Sequence, residues 1–343
     1  MRAKQFRSGT VERDLPGQVR VSLGSAMNLG LVQGRFATEP TTAYLMTFRH
    51  GKCVASCGFC SQSRQSRGRP DLLSRVSWPV FPTNRILESL RTVSVQSKVR
   101  RVCIQALNYP KVLAHLCALT RAVHERVQIP ISISCQPFNR QSLKLLAEAG
   151  AERIGIPLDA ATRKIFDKVK GRHIGGPYSW DRVLELLIDA VGIFGRGKVS
   201  THLIVGLGET EKEMVEIIQQ CADMDVLPGL FAFTPIRGTP LEKRDQPPVQ
   251  AYRRIQVARH LIMHRLKRPE DMRFGENSQI VDFGVGREAL KQIIKIGTPF
   301  VTTGCPACNR PYYNEKPRGP IYNYPRDLTD DELVEIRRQL GLD

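Results

Sequence analysis

Cys53, Cys57 and Cys60 stand in the run Gly-Lys-Cys-Val-Ala-Ser-Cys-Gly-Phe-Cys, a C-x3-C-x2-C triplet. Three thiolates at this spacing can hold three irons of a four-iron, four-sulfur cubane and leave the fourth iron without a protein ligand. An open iron can bind a small molecule and cleave it reductively. The competing chemistry is a structural zinc site, which takes four Cys or His ligands, with His50 as the candidate fourth. A second pair, Cys305-Pro-Ala-Cys308, has the C-x2-C spacing typical of iron–sulfur or zinc ligation. Cys103 and Cys135 lie in β-rich runs, whereas Cys117 and Cys221 lie on helical faces and read as core.

The elements that must position these thiols alternate along the chain. Strands are expected at 43–48, 99–105, 129–135, 153–157, 199–205, 229–233, 272–274 and 299–303. Between them, helical periodicity predicts helices near 84–95, 111–127, 140–149, 179–192, 209–224, 248–266 and 287–295, with Thr83 and Ser179 as caps. Such alternation means a parallel sheet with crossover helices, and eight strands suggest an α/β fold of the (β/α)8 barrel type. Barrel sites lie at the C-terminal ends of the strands. The cysteine triplet follows the first strand directly. Residues 1–42 form an N-terminal extension, 43–304 the barrel, and 305–343 a C-terminal segment carrying the cysteine pair and a tail. Residues 309–326 of that tail are dense in Tyr and Arg, residue types enriched at interface hot spots. The tail could equally wrap the barrel.

The chain has 343 residues and 41% hydrophobic content, enough for one large domain. No run of 18 apolar residues exists and the N-terminus lacks an apolar signal segment. Nine cysteines without such a signal point to a reducing compartment, the cytoplasm, and to metal or cluster use. The net charge of +18 fits an acidic protein partner, a nucleic acid or a merely solvated basic surface. The basic residues are scattered, and no nucleic-acid recognition motif accompanies them.

The triplet, with an aromatic residue before its last cysteine, resembles the signature of the radical S-adenosylmethionine (SAM) superfamily. From about residue 43 to 304 the chain looks like the biotin synthase-like branch. The landmarks are Cys-Gly-Phe-Cys-Ser-Gln-Ser (57–63), Val-Cys-Ile-Gln-Ala (102–106), Leu-Ala-Glu-Ala-Gly (146–150), Pro-Leu-Asp (157–159), Ile-Val-Gly-Leu-Gly-Glu-Thr (204–210) and Arg-Gly-Thr-Pro-Leu (237–241). The resemblance implies a radical-generating [4Fe-4S] cluster on Cys53, Cys57 and Cys60, with SAM on its open iron. It implies that Phe59 places the adenine, that Asp159 bonds the ribose hydroxyls and that Arg182 pairs the SAM carboxylate. Gly206, Gly208 and Glu209 would pass close to the adenosine, and the turn from Pro235 to Pro240 would lie on the adenine side. Read from residue type alone, Asp159 is equally a helix cap and Arg182 a solvated helix residue.

Biotin synthases hold an auxiliary cluster with three cysteines and an arginine. Cys103, Cys135 and Arg273 match three of those positions, but Ser200 stands at the third cysteine and Pro157 where Asn is frequent. The run Cys-Pro-Ala-Cys-Asn-Arg-Pro-Tyr-Tyr-Asn-Glu (305–315) resembles instead one component of the two-protein lipoyl synthases. That resemblance implies an auxiliary [4Fe-4S] cluster on Cys103, Cys135, Cys305 and Cys308, consumed as sulfur donor. The implied substrate is an octanoyl group on an acidic lipoyl carrier protein. The implied partners are a second radical SAM component and an electron donor such as ferredoxin. The alternatives are sulfur insertion into dethiobiotin, radical SAM chemistry of another pathway, and a zinc-stabilised nucleic-acid-binding protein.

Overall fold

The computed structural model describes residues 14–96 and 99–342, so the start of the N-terminal extension lies outside the described residues. The chain opens with β1 (Gln18–Val21) and α1 (Leu23–Asn28), the latter capped by the Ser22 hydroxyl. β2 (Thr42–Thr47) follows, then the short strands β3 (Leu72–Leu73), β4 (Val76–Ser77) and β5 (Val80–Pro82), and α2 (Thr83–Gln96). Regular alternation then sets in: β6 (Arg101–Gln105), α3 (Val112–His124), β7 (Ile131–Ser134), α4 (Arg140–Glu148), β8 (Arg153–Gly155), α5 (Arg163–Val169), α6 (Trp180–Phe194), β9 (Val199–Val205), α7 (Glu211–Asp223), β10 (Leu227–Ala232) and α8 (Val249–Met263). The chain closes with β11 (Arg273–Phe274), β12 (Ile280–Asp282), α9 (Arg287–Ile296) and α10 (Asp330–Gln339).

Eight strands form the main sheet in the order β10-β9-β8-β7-β6-β2-β1-β5. The run from β10 to β2 is parallel, while β1 and β5 pair antiparallel at its edge. The expected α/β fold of (β/α)8 type is the one found, with the helices packed outside a curved parallel sheet. Side-chain alternation separates the layers. In β9 the residues Val199, Thr201, Leu203 and Val205 are buried under helices, while Ser200, His202 and Ile204 face the interior.

Two expected strands behave differently. Residues 272–274 contribute only β11, paired with β12 in a separate hairpin. Residues 299–303 begin as a 3-10 turn, Thr298–Phe300, because Pro299 lacks a donor and its fixed φ suits a helical first turn. Val301 then makes one bridge to Tyr324. The segment still closes the barrel by side chains. Leu230 N–H donates to Thr303 Oγ1 (2.9 Å) at β10, and Thr41 N–H donates to Asn309 Oδ1 (3.0 Å) beside β2.

The Tyr- and Arg-rich tail wraps the barrel. Tyr322, Asn323 and Tyr324 are buried. Buried Arg253 of α8 donates to the Tyr322 carbonyl (2.7 Å), and its guanidinium lies 5.4 Å from the Tyr324 ring centre. α10 ends the chain behind a capping box of Thr329 and Glu332. Of the two expected caps, Ser179 precedes α6 without a side-chain bond, and Thr83 is already helical. Among the described residues no helix is long and apolar enough to cross a membrane.

Candidate active site

The strands open at their C-terminal ends onto a cavity of about 260 Å³. Cys53, Cys57, Phe59 and Cys60 border it from the loop after β2, as do Cys103, Cys135, Cys305 and Cys308. The triplet loop is pinned from both ends. Cys53 N–H donates to the Gln62 carbonyl (2.9 Å), Cys60 N–H to the Cys57 carbonyl (3.1 Å), and Val54 N–H to the Asn108 carbonyl (3.0 Å). Lys52 Nζ donates to the carbonyls of Ser61 (2.7 Å) and Gly68 (2.9 Å), and burial pulls its pKa down.

The turn from Pro235 to Pro240 lies on this loop. Leu241 N–H donates to the Gly58 carbonyl (3.1 Å) and Arg67 N–H to the Gly238 carbonyl (2.7 Å). Gly238 has φ +83°, and a Cβ there would stand 2.3 Å from Gly68 N, so only glycine fits. His50 is exposed and packs edge-on to Phe48, and it does not line the cavity. A zinc site using His50 therefore has no support from its placement.

The three thiols suit a cluster chemically. Backbone N–H groups of Asn108 (3.2 Å) and Ala55 (3.5 Å) point at Cys53 Sγ. Cys57 feels the charges of Cys60 and Cys53, and Cys60 that of Cys53. Burial pushes the Cys57 thiol up, opposed chiefly by Lys170, and pushes Cys60 up to about 12. Buried thiols of this kind ionise when a cation ligates them. Among the described residues no three His, Cys, Asp or Glu side chains converge tightly enough to hold a single metal ion.

Asp159 sits at the rim with φ +70°, bridged to Leu203 of β9. It is not a helix cap; Thr162 caps α5. Its carboxylate meets Lys170 Nζ at 2.6 Å, and both side chains are buried. Lys170 also donates to the Pro157 carbonyl and lies 5.2 Å from the Tyr178 ring centre. Nothing in sequence spacing singles out Lys170, which follows α5 and reaches the cavity only through the fold.

The other implied SAM contacts diverge. Arg182 is exposed, paired with Glu185 (2.9 Å), and borders a neighbouring cavity of about 390 Å³ with Phe138 and Tyr178. Gly206 (φ +105°), Gly208 (φ +118°) and Glu209 do not line the main cavity. The Glu209 carboxylate instead accepts the N–H groups of Gly206 (2.6 Å) and Leu207 (3.0 Å), closing its own turn.

At the base of the barrel a second thiol group gathers. Cys103 faces inward from β6, in register with Tyr44 of β2 and Ser132 of β7. Burial raises the Cys103 thiol well above its usual range, and Cys305 and Cys308 raise it further. Tyr44 Oη lies 3.1 Å from Cys308 Sγ, and Ser132 Oγ lies 3.3 Å from Cys305 Sγ. Cys135 borders the same cavity from just beyond β7, and burial pushes its thiol up to about 12. Arg273 is exposed and paired with Asp282 (3.1 Å), outside the cavity. Arg310 lines the cavity instead, its guanidinium 4.1 Å from the Phe231 ring centre. His202 of β9 faces the cavity, a position that strand alternation alone could have shown.

This fold and thiol arrangement agree with what comparison finds: residues 49–221 match the radical SAM superfamily, and the chain belongs to that superfamily. The family implies a [4Fe-4S] cluster and SAM as its cofactors. Among curated relatives, a biotin synthase of Persephonella marina is 24% identical over 62% of this chain and 60% of its own length. One of Maridesulfovibrio salexigens is 27% identical over 76% of this chain and 72% of its own. The chain thus spans about 60% of the first relative's length. Two solved structures share the fold at 14% identity. The FeFe-hydrogenase maturase HydG from Carboxydothermus hydrogenoformans gives a TM-score of 0.51 over 80% of this chain and 70% of its own. Methylornithine synthase (PylB) gives 0.50 over 78% and 71%.

Proposed function

We propose that the protein is a radical SAM sulfurtransferase. The observation that carries this reading is the second thiol group, Cys103 with Cys305 and Cys308, facing the same cavity as Cys53, Cys57 and Cys60. Cys53, Cys57 and Cys60 would hold a cluster supplying reductive cleavage of SAM, and the second thiol group would hold one supplying sulfur. The chain's own residues set the geometry. Both thiol groups border one cavity inside the barrel, whose walls would shield a reactive carbon from water. Met46, Ile204 and Phe231 give the intervening wall an apolar surface that suits an alkyl chain.

The substrate we assign is an octanoyl group on a lysine of an acidic lipoyl carrier protein. A second radical SAM component and a ferredoxin-type donor complete the system, as in a two-protein lipoyl synthase. The Cys305–Glu315 run and the net charge of +18 support this choice. A second reading, sulfur insertion into dethiobiotin, is favoured by the names of the relatives. Ser200 in place of a cysteine and Arg273 on the outer surface weigh against it.

The test is anaerobic reconstitution followed by parallel assays with an octanoyl-lysine peptide and with dethiobiotin, read by mass spectrometry. Sulfur gained by the peptide supports the lipoyl assignment, and sulfur gained by dethiobiotin transfers it to the second reading. With the second radical SAM component, the electron donor and the octanoylated carrier protein supplied, SAM cleavage without sulfur in either product refutes sulfur insertion.

A further inference from the structure

We infer that the outer side of the triplet loop is the docking surface for the electron donor, a small acidic redox protein held by a basic collar around Ile174 and Leu241. This rests on the triplet cluster and the donor of the reading above. Three segments distant in sequence meet behind the loop. Gly58 N–H donates to the Val169 carbonyl (2.7 Å), Leu241 N–H to the Gly58 carbonyl (3.1 Å), and Arg67 N–H to the Gly238 carbonyl (2.7 Å). Arg64 Nη2 ties the same loop to the Gly175 carbonyl (2.9 Å).

The cover over the thiols is thin at this place. Gly58 directly follows Cys57. A Cβ at Gly58 would stand 2.9 Å from Ile174 Cδ1 and 3.4 Å from Leu241 Cγ, so the two side chains lie against the loop backbone as glycine permits. Both are half-buried, and neither lines the cavity, so their exposed parts face outward. A partner that touches them is one side chain away from the backbone that carries Cys57.

Cations frame this apolar centre. Arg64, Arg67, Arg172, Arg237 and Lys243 are exposed. The acids of the same segments are mostly engaged: Asp71 pairs with Arg69 (2.6 Å), Asp167 with Arg172 (3.3 Å), and Glu242 accepts the Gly238 N–H (2.5 Å). Among the described residues Arg67, Arg237 and Lys243 have no acid at ion-pair distance. An apolar centre with a charged rim is the anatomy of a protein interface. Electron-transfer encounters need only a small area, and complementary charge steers them. An acidic carrier protein fits the charge but not the place. Its octanoyl arm must enter the cavity, which Cys60, Gln62 and Ser63 of this loop line and none of the collar cations does. The donor needs only to come close to the triplet. One electron leaves the reduced donor, which is oxidised, and reduces the cluster that the triplet would hold; no bond forms and no proton moves.

The experiment measures binding of an acidic plant-type [2Fe–2S] ferredoxin to the full chain by calorimetry, at about 50 mM and about 500 mM salt. Wild type is compared with Arg67→Glu/Lys243→Glu, with Arg172→Glu, and with Arg287→Glu/Lys295→Glu, which makes the first variant's charge change on α9, outside the three segments. Each protein is then reconstituted and assayed for SAM cleavage driven by that ferredoxin and by dithionite, which needs no docking surface. Arg67→Glu/Lys243→Glu should bind roughly tenfold more weakly at low salt, with the difference shrinking at high salt. Its ferredoxin-driven cleavage should fall while dithionite-driven cleavage holds, and the α9 variant should match wild type. No salt-sensitive binding to wild type, equal affinity in the collar variants, or an equal loss in the α9 variant would overturn the docking surface. So would an octanoylated carrier protein that competes with the ferredoxin and is weakened as much by the collar changes. A reconstituted wild type that cleaves no SAM with dithionite would instead overturn the triplet cluster, whatever the binding result. Should Arg67→Glu/Lys243→Glu not fold, Arg172→Glu carries the comparison, since its side chain is 78% exposed.

Discussion

Replacing Lys170 by methionine should cost the protein about 3–5 kcal/mol of stability. The number follows from what the change leaves behind. Lys170 Nζ sits 2.6 Å from Asp159 Oδ2, with side-chain exposures of 2% and 9%, so water screens little of the pair. Methionine preserves most of the buried stem but removes the cation. Asp159 then stays as a buried carboxylate whose backbone is locked by its own N–H donating to the His202 carbonyl (2.7 Å). Because the penalty is an orphaned charge rather than lost packing, Lys170→Met with Asp159→Leu should recover most of it. The assay is anaerobic urea unfolding of wild type, the two single variants and the double variant, comparing midpoints at constant slope. A Lys170→Met cost below about 1 kcal/mol, the scale of an exposed pair, would refute the argument. So would a double variant no more stable than the single.

Three further outcomes are expected. Thr303→Val removes the acceptor of the Leu230 N–H and should cost about 1–3 kcal/mol, with faster hydrogen exchange at Leu230 showing that the barrel seam has opened. His202 has its pKa lowered from 6.5 to about 4, by burial first and then by the Arg310 and Lys170 cations, against the opposing pull of Asp159. The unfolded chain therefore binds the extra proton, so the contribution is complete above about pH 6.5 and is lost as pH falls towards 4. At 1.36 kcal/mol per pH unit this amounts to at most about 3 kcal/mol, and His202→Asn should flatten that limb of the stability curve. Gly238→Ala, at φ +83° and 2.3 Å from Gly68 N, should expose the triplet loop to limited proteolysis near Arg67 while thermal unfolding of the barrel shifts little. Unchanged cleavage there would show that the Gly238 turn does not clamp the loop.

What the sequence settled by itself was local. The Cys53–Cys60 spacing names its chemistry because the ligands lie within one loop, and the period of the strands and helices needs no distant partner to be read. The helices at 140–148 and 211–223 follow expectation closely because Asn139 and Thr210 cap them. The tertiary structure decided what depends on which face a residue presents and which distant segment meets it. Strand register puts Ser132 beside Cys103, and Cys305 comes within 3.3 Å of Ser132 from a distant segment, neither of which the sequence spacing shows. Arg182 and Arg273 carry the charge their expected roles require, yet each spends it on a neighbouring surface carboxylate. Lys170 instead reaches the cavity from outside every motif, since a side chain becomes a site residue where the folded chain brings it, not where the pattern ends.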